Sequence, residues 1–136
     1  MPATVSQVKD GLKTAIQTVS GLRAYDYQPD QVNPPFAFST LDEIRYHQTG
    51  MSSGGVVMDF TITVVVQRAS ERTAQDKIDQ YTSWDGTQSV RAAIEADRTL
   101  GGVCSDLIVN SASNFTNIDA NDTLYLTMDF KVTVYA

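Results

Sequence analysis

The sequence predicts an α+β domain, a mainly antiparallel sheet of about four to five strands with two to three helices packed against it. Two observations carry most of this. Residues 56–66 and 124–134 alternate apolar and polar side chains over long runs, the period of a half-buried strand. Strand-like segments also follow one another instead of alternating with helices, the order helix, three strands, two helices, two strands, which favours antiparallel pairing with the helices on one face.

The elements follow from local pattern. In "ATVSQVKDGLKTAIQTVSG", Val5, Val8, Leu12, Ala15, Ile16 and Val19 recur at three- and four-residue steps, and Gly21 stands where a left-handed C-cap is wanted. Gly11 inside this helix costs about 1 kcal/mol against Ala, so the helix is expected to rely on packing. "LRAYDY" reads as a short strand, the prolines of "QPDQVNPP" as an extended unpaired link, and "FAFSTLDEIRYHQ" as strand material. "TGMSSGG", Thr49 to Gly55, has the composition of a mobile connection.

In "VVMDFTITVVVQR", Val56, Met58, Phe60, Ile62, Val64 and Val66 share one face. Asp59, Thr61 and Thr63 share the other before it turns apolar at Val65, which predicts a strand buried on both sides towards its end. Ser70 is a suitable N-cap for a helix reaching Trp84, with Glu71 in the first turn and Ala74, Ile78 and Tyr81 as its apolar stripe. "SVRAAIEAD" predicts a shorter helix closed by "LGG", with Val90, Ala93 and Ile94 inward. "VCSDLIVNSAS" predicts a strand, "NFTNIDAND" a polar loop and "TLYLTMDFKVTVYA" the last strand.

A length of 136 residues predicts one domain, 1–136, and 42% hydrophobic with 19% charged residues is a globular composition. The net charge of −6 and ten scattered Lys and Arg argue against a nucleic-acid groove, which needs clustered cations. The single cysteine, Cys104, excludes an internal disulfide, and its apolar setting predicts a core residue. No run approaches the length of a membrane span, and the start lacks a signal-peptide pattern, so no membrane partner is expected and a cytoplasmic place of synthesis and assembly is.

Sites of chemistry are sparse. His47 is the only histidine, and no nucleophile stands in a recognisable elbow beside it. "IDAND", with Asp119 and Asp122, lacks the spaced acids of a calcium loop, and "SGG" and "LGG" lack the lysine of a phosphate loop. The sequence thus predicts no catalytic residues, no metal, no cofactor and no enzyme. Arg68, Glu71, Arg72 and Asp76 place opposite charges near the start of a helix, where they support the helix or face a neighbouring subunit.

Four stretches in order, "GLRAYDYQPDQVNPPFAF", "DFTITVVVQRASERTAQDKIDQY", "SVRAAIEADRTLGG" and "LYLTMDFKVTVYA", resemble the tail terminator proteins of long-tailed bacteriophages, the small ones of actinobacterial siphophages above all. The likeness covers roughly residues 5 to 135 and is one of layout and phrasing. It implies a virion structural protein of the tail and neck. Six copies would form a ring that caps the tail tube, ends its polymerisation and meets the head's connector, while DNA passes through without specific binding. Partners so implied are further copies of the chain, the tail tube protein and head–tail connector proteins.

On that reading the flank Arg68, Glu71, Arg72 and Asp76 is expected to meet the acidic loop of Asp119 and Asp122 on the next subunit. The segment His47 to Val56, with Gly50, Met51, Gly54 and Gly55, is expected to order only on assembly. Alternative readings are a neighbouring neck protein, such as a stopper or completion protein; a small-molecule-binding or enzymatic domain using His47, Asp42 and Glu43; and a plain dimer.

Overall fold

The computed structural model describes residues 4–19, 22–25, 36–46, 56–68, 73–86, 88–102, 104, 106–120 and 123–135, by backbone alone at 67–68, 73–75, 114–120 and 123–124. The elements are α1 (Val5–Ile16), β1 (Arg23–Tyr25), β2 (Phe36–Arg45), β3 (Val57–Arg68), α2 (Thr73–Tyr81), α3 (Val90–Glu95), β4 (Asp106–Ala120) and β5 (Thr123–Tyr135). This is the α+β class and the element order that periodicity predicts.

The five strands form one sheet in the order β1-β2-β3-β5-β4. All neighbours are antiparallel except β1 and β2, which pair in parallel. The strand of strongest alternation, β5, therefore lies inside the sheet, flanked by β3 and β4.

Helix formation in α1 starts from a capping box: the Thr4 hydroxyl accepts from the Gln7 N–H at 3.2 Å, and the Gln7 side chain accepts from the Thr4 N–H at 2.9 Å. The helix ends at Ile16, capped by Gln17, and not at Gly21, which lies outside the described residues. The Thr18 and Val19 N–H groups bond back three residues to Ala15 and Ile16, so a tighter turn finishes the segment. Likewise α2 ends at Tyr81 and not at Trp84. The Thr82 N–H and hydroxyl both donate to the Ile78 carbonyl, and the Ser83 hydroxyl takes the Asp79 carbonyl while its N–H bonds back only three residues to Gln80, so the last turn tightens and stops. Its predicted cap, Ser70, lies outside the described residues.

Residues 114–120, read from composition as loop, are strand. Polar residues suit this position because β4 is an edge strand, and its pairing with β5 continues to Ala120↔Thr123, joined by two residues.

The three helices cover one face of the sheet. Val8, Leu12 and Ile16 of α1, Ile78 and Tyr81 of α2, and Val90 and Ile94 of α3 share a core with alternate residues of β3 (Met58, Phe60, Ile62, Val64, Val66) and β5 (Met128, Phe130, Val132, Val134). Cys104 lies in the same core. The predicted two-sided burial of β3 is present: Val65 is buried on the opposite face with Phe36 and Tyr125, beside the half-buried Tyr25 and Phe38. The Tyr25 and Phe36 rings meet edge-on at 6.0 Å, and Phe36 and Phe38 stack at 6.2 Å. Among the described residues no helix is long and apolar enough to cross a membrane.

Candidate functional site: the open face of the sheet

Two irregularities of register decide what the face opposite the helices presents. Between Leu41 and Glu43, β2 inserts one extra residue, Asp42, against β3. Strict alternation from Leu41 would send Glu43 into the core and Ile44 into solvent. The bulge reverses that: Glu43 stands opposite Asp59 on the open face, and Ile44 stands opposite Met58 and packs on the core. β4 carries two extra residues, one between Ser113 and Thr116 and one at Asn110, and the latter keeps both Val109 and Ala112 on the core side and leaves Ser111 opposite Lys131.

The result is a polar network across β2, β3, β5 and β4. The Arg45 guanidinium donates to Asp59 and approaches Glu43 at 3.6 Å. The hydrogen bond to Asp59 raises the Arg45 pKa above its ordinary value, so the group stays charged. The other Asp59 oxygen accepts from the Thr133 hydroxyl at 3.1 Å, which itself accepts from the Asn110 amide at 2.7 Å. The Thr61 hydroxyl donates to Asp42 and accepts from Lys131 Nζ at 2.8 Å, with Lys131 also 3.7 Å from Asp42. Thr63 donates to Asp129 at 3.0 Å. A cleft of about 380 Å³ opens between these side chains.

Four carboxylates (Asp42, Glu43, Asp59, Asp129) thus face two cations (Arg45, Lys131), and three threonine hydroxyls mediate between them. Such a surface carries more acid than base and retains acceptors for a partner. Each of the three hydroxyls donates to a carboxylate: Thr61 to Asp42, Thr133 to Asp59 and Thr63 to Asp129. Among the described residues no three or more metal-ligating side chains come together. His47 lies outside them.

Three of the residues expected at a subunit contact, Arg68, Asp76 and Asp119, fall among the described residues. Arg68 closes β3 opposite Tyr125, and Asp119 lies on β4 opposite Leu124. Tyr125 also pairs with Ile118, so Arg68 and Asp119 stand at one end of the same sheet, about two strand spacings or ~10 Å apart. Asp119 is therefore a strand residue, which corrects its placement in an acidic loop. Asp76 is exposed in the first turn of α2. Glu71, Arg72, Gly50, Met51, Gly54, Gly55 and Asp122 lie outside the described residues.

The alternation in β3 singles out Asp59, Thr61 and Thr63, whereas Arg45 and Asn110 join them through two bulges that no local pattern announces.

No family model matches the chain, and no curated protein matches it. Solved structures do: one is a chain from the virion of a native gene transfer agent (GTA) particle, 16% identical, with 98% of this chain and 96% of that one covered and a TM-score of 0.40.

Proposed function

We propose that this chain is a virion structural protein of the bacteriophage type, that six copies form a ring capping the tail tube, and that the ring ends tube growth and meets the head's connector. The sequence resemblance to tail terminators motivates the reading. The observation that carries it structurally is the face of the sheet opposite the helices. Three helices bury one face, while the other is apolar at one end, around Phe36, Val65 and Tyr125, and polar and acid-rich at the other, around Asp42, Glu43, Asp59, Arg45 and Lys131. A polar surface whose cations are already paired keeps a free subunit hydrated and lets it exchange those contacts for a partner's on assembly. The acidic balance of the chain suits DNA passing close by without adhering. No catalytic role is assigned to any residue.

The test is assembly of purified chain with tail tube protein, read by electron microscopy and light scattering. Six-membered rings at tube ends, with tube length arrested on addition, support the reading. Binding to head-side connector proteins and not to the tube moves the chain to the neck. Failure to engage either removes the proposal.

A further inference from the structure

Trp84, the chain's only tryptophan, is 74% exposed in the link between α2 and α3. It is nevertheless held in place. The Arg91 guanidinium lies 3.6 Å from the ring centroid and donates to the Trp84 carbonyl at 3.1 Å. Arg91 is in turn fixed by Glu95 at 2.7 Å, and the second Glu95 oxygen accepts the Val109 N–H of β4 at 2.8 Å. A relay of cation–π contact, ion pair and backbone hydrogen bond thus ties an exposed aromatic ring to the sheet. A large apolar ring presented at low conformational freedom beside an arginine is the composition of an interface anchor.

A groove elsewhere on the chain has the complementary character. About 500 Å³ lies between α1, α3 and the turn after α3, lined by Gly11, Ala15, Ala93 and Leu100, with the exposed carboxylates of Asp10 and Asp97 on its lining. Small side chains leave room for an indole, and the carboxylates match the indole N–H and the unused donors of Arg91. Arg91 and Glu95 share one side of α3, whereas Ala93 is about 200° round the helix. The anchor and the groove therefore lie on opposite sides of α3, and one molecule does not satisfy its own pair.

We infer that the α1–α3 groove receives Trp84 of a second copy of this chain, with Arg91 of that copy beside Asp10 and Asp97. Two different patches joined in this way make a heterologous contact, the kind that closes a ring. The inference rests on the assembly reading above and names the surfaces by which copies meet.

Trp84 itself reports the contact. As the concentration of the full-length chain is raised, tryptophan emission should shift to the blue in step with the mass from light scattering. Trp84→Ala should weaken association at least about tenfold, as loss of an anchoring tryptophan does. Thr14→Arg, on the groove lining, should do the same by blocking the groove and repelling Arg91, and both variants should unfold at the parent's temperature. Mixed one to one, the two variants retain one intact anchor and one intact groove, and should form a heterodimer that grows no further.

A parent that stays monomeric at every concentration and on tubes overturns the inference, as does association unchanged in Trp84→Ala or an inert mixture. Tubes still capped by rings of Trp84→Ala would remove the inference and leave the terminator reading standing. Self-association that depends on Trp84, without any effect on tubes, does the reverse.

Discussion

Leu100 is driven into a notch made by Gly11. A Cβ on Gly11 would stand 2.9 Å from the Cβ of Leu100 and 3.1 Å from its Cδ1. Leu100 is buried and has a φ of 52°, a left-handed conformation that disfavours a branched residue by roughly 1–2 kcal/mol. The turn is held by Asp97, whose carboxylate accepts from the Thr99 N–H and hydroxyl and from the Gly101 N–H.

Gly11→Ala is expected to destabilise the fold by about 1–3 kcal/mol, the usual effect of overpacking. Helix propensity alone favours the alanine by about 1 kcal/mol, so the two effects have opposite signs. Urea denaturation decides between them, and a more stable Gly11→Ala chain would show that Leu100 moves aside freely.

Deleting Asp42 removes the extra residue and makes Leu41 and Glu43 consecutive partners of Phe60 and Asp59, so Glu43 still faces outward and Ile44 still packs on the core. The deletion and Asp42→Ala lose the same exposed contacts to Thr61 and Lys131, and both should fall within about 1 kcal/mol of the parent in urea denaturation. A much larger loss on deletion alone would show that the bulge sets a bend of β2 that the rest of the sheet requires.

Hydrogen bonds from the Thr99 hydroxyl, the Thr99 N–H and the Gly101 N–H hold the Asp97 pKa below the ordinary carboxylate range. A carboxylate with a depressed folded-state pKa contributes stability above its unfolded value and loses it as the pH falls through the folded one. Asp97→Asn should therefore be less stable than the parent at neutral pH, and the gap should narrow on acidification below the carboxylate range. A gap independent of pH would assign the effect to packing.

Cys104 is expected to react slowly with thiol reagents in the native chain and quickly in denaturant. Burial, and then the nearby carboxylates of Asp106 and Asp97, raise its pKa, so little thiolate is present at neutral pH. Fast native labelling would show that the core around Leu107 and Cys104 opens readily.

The elements were legible because their signals are periodic. Even-numbered residues of β3 and β5 point to one face, and that fact alone predicts strands, core and the polar face of Asp59, Thr61 and Thr63. Element ends were less legible, because hydroxyls settle them: Thr82 and Ser83 close α2 by bonding back to carbonyls, and composition does not say which serine will do so. The outer half of β4 reads as loop because an edge strand facing water needs no apolar alternation. The parallel pairing of β1 with β2 and the two bulges depend on register, a property of two strands at once. That Arg68 and Asp119 lie at one end of one sheet is likewise a matter of strand order, which neither local sequence shows.

The place of β5 in the sheet also bears on how the chain is made. β4 leaves the ribosome before β5, yet β5 is its strand neighbour in the sheet. At synthesis rates of roughly 5–20 residues per second, the 15 residues of β4 emerge with no strand beside them, while β3 waits with one side unpaired. The first three strands have their neighbours early, but the sheet joins into one piece only when residues 123–135 arrive. A message broken or terminated before Thr123 would therefore yield not a smaller folded domain but a chain with two exposed strand edges, prone to clump with its fellows. β5 is thus the strand on which the rest of the sheet waits, because β3 and β4 meet only through it.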